Sequence, residues 1–203
     1  MAYIVAIIIG YLLGCLSLSY IIGRIKKVNL KEVGSKNYGA SNTVAMVGFK
    51  AGFFVFLHDL AKAYLAVVIT QWIFPHTAYV GISAGIFAIV GHIFPFYLKF
   101  DGGKGFACFM GMMLAINPIF TLCLMGAALI FSIIVDYIVA GTFSIITIAP
   151  LYVGIFQHNW VACLLILSAS LLILYKHKQN IKNLVTHNGK EMKIRNTVFK
   201  KKK

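Results

Sequence analysis

The sequence predicts an all-α integral membrane protein, a polytopic bundle of about seven transmembrane helices that forms one domain over residues 1–203. The chain is 60% hydrophobic and 12% charged, whereas soluble domains average roughly 45–50% apolar and 25% charged residues. Its apolar runs are also long enough to cross a bilayer. Because they are continuous and do not alternate with polar residues, they do not indicate barrel strands.

A transmembrane helix needs about 20 apolar residues. We expect the first run to be a retained helix and not a signal peptide, since it has no basic leader and is too long. The run at 105–116 is short, which leaves open a five-span arrangement with a re-entrant piece within 105–135. The candidate spans are 2–22, 51–74, 78–98, 105–116, 119–135, 137–156 and 160–175.

The basic residues are concentrated in two blocks. Six of the 19 lysines and arginines lie within 24–50, and ten lie from Lys176 onward. Because such residues favour cytoplasmic loops, we predict an N-terminus outside, a cytoplasmic C-terminus and a basic cytoplasmic tail over 176–203. The blocks flank bilayer spans, so we expect them to contact membrane lipid and not nucleic acid.

Three polar segments are predicted on the cytoplasmic side. The first, GSKNYGASN at 34–42, combines glycines that permit positive φ with short hydrogen-bonding side chains. Such turns form anion-binding concavities or simply cap the next helix. The candidate substrate-binding residues here are Gly34, Asn37, Gly39 and Asn42, and Ser35 is a candidate catalytic residue.

The second segment is GHIFPFYLKFDGGKGFAC at 91–108. Gly102, Gly103 and Gly105 allow close approach of a ligand, and Lys104 adds a charge suited to phosphate. The apolar helix that follows would present its positive N-terminal end to the same place. The segment lacks the first glycine and the Ser/Thr of a nucleotide P-loop. The alternative is a flexible turn with a snorkelling lysine.

The third segment, YKHKQNIKNLVTHNGKE at 175–191, follows the last span. His177 and Asn180 are three residues apart and would share a helical face; the alternative is a solvated basic tail. Asp59 and Lys62 have the same spacing within a span, which predicts an ion pair or a wall of a substrate pocket. No spacing typical of a metal site is present, so we expect no metal.

In order and spacing, these segments resemble the motifs of the bacterial acyl-phosphate:glycerol-3-phosphate acyltransferases, which are integral membrane enzymes of phospholipid synthesis. The family pattern GSxNxGATN is matched over 34–42 with Ser41 for Thr, and GHxFPxxxxFxGGKGxAT over 91–108 with Cys108 for Thr. The first part of the pattern HxxNIxRLxxGxE is matched by His177, Asn180, Ile181 and Leu184, with Asn183 for Arg. Gly189 and Glu191 supply the later glycine and glutamate, two residues further along than the pattern places them. The resemblance covers nearly the whole chain.

The resemblance implies a seven-helix protein of the inner cell membrane with its active site facing the cytoplasm. It implies transfer of an acyl group from acyl phosphate to the sn-1 hydroxyl of glycerol 3-phosphate, without a cofactor. Carried onto this sequence, it suggests catalytic roles for Ser35, Lys104, His177 and Asn180. The glycines around Lys104 would hold phosphate.

Three positions where the family has arginine carry Ala45, Asp136 and Asn183. A lost guanidinium removes bidentate phosphate binding, and an acid near the site would repel an anionic substrate. These differences leave open an alternative function. The chain could be a non-catalytic or altered-substrate member that binds phosphate or lipid and acts as a regulator.

Overall fold

A computed structural model describes residues 1–186, and its regular structure is entirely helical. The chain divides into two compact units, Met1–Asn117 and a second that begins at Pro118. The first unit contains α1 (Ala2–Cys15), α2 (Leu18–Ile25), α3 (Ala40–Met46), α4 (Phe49–Ile73), α5 (Val80–Ile93), a 3-10 turn (Phe96–Leu98) and α6 (Phe106–Ile116). The second contains α7 (Pro118–Val135), α8 (Ile138–Ile155), α9 (Trp160–Lys176) and α10 (Lys178–Val185).

The predicted all-α membrane class is confirmed. Five helical stretches within residues 1–186 are long and apolar enough to cross a membrane, or six if α9 and α10, bent by 57°, form one span. The other predicted span is α6, which has 11 residues and a length of only about 16 Å. The hydrocarbon core is about 30 Å thick, so the predicted count of seven stays a prediction.

Within the first unit, α1 packs closely against α5. A Cβ added at Gly10 or Gly14 would collide with the backbone carbonyl of Ala84 or Ala88. In the same way, a Cβ at Gly91 would collide with the Tyr11 carbonyl of α1. Small residues let two backbones approach in an apolar solvent, where helix association depends on van der Waals packing. The two helices are therefore held together by shape.

The first predicted span, 2–22, is interrupted between α1 and α2, which the sequence analysis did not anticipate. The Ser17 hydroxyl accepts a hydrogen bond from the Tyr20 amide at 3.3 Å and starts α2.

The break frees the carbonyls of Cys15 and Leu16. The Tyr97 hydroxyl donates to the first and the Lys62 ammonium to the second, each at 2.7 Å. Freed carbonyls need such partners because lipid cannot supply them.

The second unit has similar close contacts between neighbouring helices. A Cβ added at Gly141 of α8 would collide with the Ser132 hydroxyl of α7. Asp136, between these helices, has a φ of 62°. The Asn159 side chain caps α9 by accepting from the Ala162 amide at 3.0 Å.

We predict that Gly14→Ala destabilises the protein by about 1–3 kcal/mol, the usual cost of adding volume to a packed core. The new methyl would meet the Ala88 backbone, which cannot yield as a side chain would. Gly126→Ala is the control, because no atom lies within 4 Å of its added Cβ and alanine is the better helix former. Thermal unfolding in detergent measures both variants. Equal shifts would contradict the close packing of α1 on α5.

Candidate functional site

Asn42 organises the first polar segment. It is 1% exposed, and its side-chain oxygen accepts from the Ser35 amide at 2.8 Å. Its amide group donates to the carbonyls of Leu30 at 2.8 Å, Asn37 at 2.9 Å and Val33 at 3.3 Å. A Cβ at Gly34, whose φ is 59°, would collide with the same side-chain oxygen. Asn42 therefore holds the loop, and its predicted contact with substrate stays a prediction.

Ser35 and Asn37 form the exposed part of this loop. The Asn37 amide donates to both the hydroxyl oxygen and the carbonyl of Ser35, each at 2.8 Å. Because the hydroxyl accepts from Asn37, its own proton is directed to another acceptor. Gly39 lies against the Asn37 side chain and leads into α3. The geometry fits a hydroxyl that donates to an anion.

The second segment forms a loop between α5 and α6. Lys99 and Phe100 both have positive φ, 54° and 58°, and turn the chain back toward α5. The Gly102 amide donates to Ile93 O at 2.9 Å and the Gly103 amide to His92 O at 3.0 Å. These two amides are thus used within the protein. The two glycines contribute by shape instead, since an added Cβ at either would collide with His92.

Lys104 and Gly105 lie where this loop enters α6. Gly105 has a φ of 89° and is the N-cap of α6, a conformation that favours glycine. Lys104 precedes it and is half-buried. The partial positive charge of a helix N-terminus and a lysine ammonium both favour an anion. This junction is the part of the loop best suited to bind phosphate.

The first two segments contact each other. The Tyr38 amide donates to Gly102 O at 3.3 Å, and Gly103 lies against the Tyr38 carbonyl. Lys31 forms an ion pair with Asp101 and lies 5.6 Å from the centre of the Tyr38 ring. The structure therefore brings together the serine–asparagine loop at 34–42 and the glycine loop between α5 and α6.

A cavity of about 450 Å³ opens beside Tyr38. Burial raises the pKa of the Tyr38 phenol above its ordinary value, Tyr20 and Asp101 add to the shift, and Arg24 opposes it. Arg24 was not predicted to be a site residue, because in the sequence it is one of six basic residues within 24–50. The cavity is lined by Tyr20, Gly23, Arg24, Lys27, Val28, Asn29 and Tyr38.

Below the glycine loop lies a buried polar cluster. Lys62 donates to Asp59 at 2.7 Å, which confirms the predicted ion pair, and it lies 3.0 Å from His92 Nδ1. Asp59, His92 and Cys108 have potential metal-ligating atoms within 4.8 Å of one another. In this cluster the positive charge beside the Asp59 carboxylate is that of the Lys62 ammonium, which lies at hydrogen-bonding distance from both Asp59 and His92.

The third segment belongs to the second unit. His177 joins α9 to α10, is 6% exposed, and its Nδ1–H donates to Ile173 O at 2.8 Å. Asn180 lies on the first turn of α10 and is half-buried. The roles predicted for both stay predictions. The motif residues Gly189 and Glu191 lie outside the described residues, as does the nearby His187.

The structure also shows where the three residues lie that stand in place of the family's arginines. Ala45 is exposed on α3, and Asp136 is half-buried between α7 and α8. Asn183 is on α10 and its side-chain oxygen accepts from Gln179 at 2.8 Å.

We predict that Asn42→Ala destabilises the first segment by about 1–3 kcal/mol, the cost of leaving buried backbone groups unpaired. The Ser35 amide and the Leu30 carbonyl would both lose their Asn42 partner. Asn37→Ala is the matched control, since its bonds are exposed. Thermal unfolding in detergent gives the comparison; an Asn42→Ala midpoint no lower than that of Asn37→Ala would argue against the clamp.

Comparison with known proteins is consistent with this geometry. The family model described as glycerol-3-phosphate acyltransferase matches residues 4–187. The glycerol-3-phosphate acyltransferase of Wolbachia pipientis wMel is 39% identical over 192 residues, which cover 94% of this chain and 97% of that protein. Glycerol-3-phosphate acyltransferase 1 of Oceanobacillus iheyensis is 33% identical over 210 residues, covering 100% and 99%.

Solved structures of PlsY (YgiH), an integral membrane glycerol 3-phosphate acyltransferase, are also similar. Its glycerol 3-phosphate form has a TM-score of 0.88 and 28% identity, covering 96% of each chain. Its lysophosphatidic acid form has a TM-score of 0.87 and 26% identity, covering 98% of this chain and 100% of that one. The family predicted from the three motifs is confirmed: this multi-pass membrane protein belongs to the glycerol-3-phosphate acyltransferase family and is an acyltransferase.

Proposed function

We propose that this acyltransferase moves an acyl group from acyl phosphate to the sn-1 hydroxyl of glycerol 3-phosphate, producing lysophosphatidic acid and phosphate. The observation that carries the proposal is the contact between the Ser35 loop and the loop that carries Lys104, made through Tyr38 and Gly102. That contact places a hydroxyl-bearing loop beside a loop suited to phosphate. The PlsY structures in glycerol 3-phosphate and lysophosphatidic acid forms support the acceptor and the product.

The reaction needs two anionic substrates to be brought together. The acceptor hydroxyl oxygen bonds to the acyl carbon, the bond from that carbon to the phosphate oxygen breaks, and the departing phosphate takes the hydroxyl proton. Because the leaving group can itself accept the proton, the protein's contribution is proximity and charge stabilisation. The proposal requires no resident cofactor.

The residues divide into those that bind by charge and those that shape the loop. Lys104 and the first amides of α6 are the anion-binding groups of the second segment. Gly102 and Gly103 keep the chain close to α5, and Gly105 starts the helix.

Ser35 and Asn37 would orient a phosphate or the attacking hydroxyl. We assign His177 and Asn180, from their motif, to positioning glycerol phosphate.

Positive charge in the first unit does not depend on the family's arginine at position 45. Arg24 and Lys27 line the cavity beside Tyr38, and a guanidinium can bind phosphate bidentately. We infer that Arg24 attracts the anionic substrate toward the two loops. The family findings favour this enzymatic function over the regulatory alternative that Ala45 and Asp136 leave open.

We retain the membrane arrangement predicted from the sequence: a single membrane domain over 1–203 with seven spans, an external N-terminus and a cytoplasmic tail over 176–203 in the inner cell membrane. The basic blocks at 24–50 and beyond 176 support it. The loops of Ser35 and Lys104 would then face the cytoplasm, where glycerol 3-phosphate is soluble.

Lys104→Ala should lower kcat about 10²–10³-fold, the usual effect of removing one charge-stabilising donor. Lys99→Ala is the matched control, because it removes an exposed lysine of the same segment. Purified proteins are assayed with acyl phosphate and labelled glycerol 3-phosphate, following lysophosphatidic acid. Wild-type protein without turnover, or equal rates for the two variants, would overturn the proposed reaction or the role of Lys104.

Arg24→Gln should raise the KM for an anionic substrate about tenfold at low salt while changing kcat little, since the side chain attracts substrate without touching the reacting atoms. The neighbouring Lys26→Gln removes a charge from outside the cavity lining and is the control. Raising the ionic strength should reduce the difference between the variants. Identical KM values at low salt would remove Arg24 from the site.

A further inference from the structure

His92 lies in the last turn of α5 and contacts the glycine loop at Gly102 and Gly103. The sequence alone suggests only a hydrogen-bonded structural histidine. In the structure its side chain is more than nine-tenths buried, with 6% exposure. A buried imidazole needs a defined protonation pattern, because each ring nitrogen is a donor in one tautomer and an acceptor in the other.

Lys62 sets that pattern. Its side chain is 3% exposed, and its ammonium donates to Asp59 Oδ1 at 2.7 Å and to Leu16 O at 2.7 Å. Its third proton is directed to His92 Nδ1 at 3.0 Å. Because an ammonium has three donors and no acceptor, Nδ1 must accept. The ring is then neutral and carries its proton on Nε2.

The other edge of the ring faces the glycine loop. A Cβ added at Gly103 would collide with His92 Nε2 and would also meet the Tyr38 carbonyl. The Gly103 amide donates to the His92 carbonyl at 3.0 Å. Among residues 1–186, the ring's hydrogen bonds are all made at Nδ1. The Nε2–H thus faces Gly103 and the Tyr38 carbonyl, at the junction of the two loops.

We propose that His92 is a positioning residue for the acyl-transfer site, with Lys62 fixing its Nε2–H tautomer so that this N–H supports the phosphate-binding conformation of the loop at Gly103. The inference rests on the proposed function in one respect, namely that this loop binds a phosphate of the substrates. It assigns the buried Asp59–Lys62–His92 cluster a function beyond a structural ion pair.

The tautomer is tested first, because that measurement does not depend on turnover. Wild-type protein with ¹⁵N-labelled histidine, in detergent, is studied by NMR, and His92→Gln identifies the His92 signal among the six histidines. We expect a protonated Nε2 and an unprotonated Nδ1 at neutral pH. The double variant Asp59→Asn/Lys62→Met, which removes both charges together, should show a mixture of tautomers. An Nδ1–H or doubly protonated His92 in wild-type protein would overturn the proposal.

Two substitutions then separate the ring's two nitrogens. Gln places its amide group, which includes an N–H donor, at the distance of Nε2, whereas Asn places the same amide group at the distance of Nδ1 and leaves no donor at the position of Nε2. His92→Gln should keep kcat/KM within a few-fold of wild type. His92→Asn should raise the KM for glycerol 3-phosphate or acyl phosphate about 10–100-fold, because a small displacement of a substrate-positioning loop costs up to about 100-fold, with a smaller change in kcat.

The outcomes distinguish positioning from mere folding and from the reaction itself. If the cluster only stabilises the fold, activity in both variants will follow their thermal midpoints, and equal losses in Gln and Asn will reject the proposal. If wild-type protein forms no lysophosphatidic acid from acyl phosphate, the proposed reaction fails. The wild-type tautomer then still decides whether Lys62 fixes the His92 ring.

Discussion

The Lys62 ammonium is the interaction on which the first unit depends. It joins the carbonyl freed at the break after α1, the Asp59 carboxylate of α4 and the imidazole of α5. An ammonium buried among apolar helices is costly unless it is paired and hydrogen-bonded. Here all three protons have acceptors, and each acceptor belongs to a different helix or helix end. One satisfied charge therefore fixes a break, a helix pair and the base of a loop.

The break between α1 and α2 has consequences for the site. It lets Ser19 reach Thr43 of α3 at 2.9 Å and lets Tyr20 lie 5.6 Å, ring centre to ring centre, from Tyr38. A straight helix through residue 22 would carry these side chains along a different face, because each residue turns the helix by a fixed angle. The polar loop at 34–42 is thus held by residues that the interruption redirects.

Much of this was predictable from particular residues. Long apolar runs predicted α4 to α9 to within a few residues, and the Asp59–Lys62 spacing predicted their ion pair. The break after Cys15 was not predicted, because its stabilising groups, Lys62 and Tyr97, are distant in sequence. The partners of Asn42 are also not visible in the sequence, where an asparagine suits substrate binding as well as it suits holding a loop. The hydrogen bonds from the Gly102 and Gly103 amides to α5 carbonyls likewise become visible only in the structure.

The proposed dependence on lysine explains why the support beneath the loop matters. A guanidinium orients phosphate by its planar fork, whereas a lysine ammonium is a point charge on a flexible stem. With Ala45 in place of an arginine, the orientation of a phosphate bound at Lys104 would depend on the shape of the backbone around that lysine. That shape is fixed by the hydrogen bonds that the Gly102 and Gly103 amides donate to α5 carbonyls. In our proposal it is also supported by the His92 imidazole, which Lys62 holds in place. In this chain a rigid loop beside a buried cation can therefore supply the geometric precision that a guanidinium at position 45 would otherwise provide.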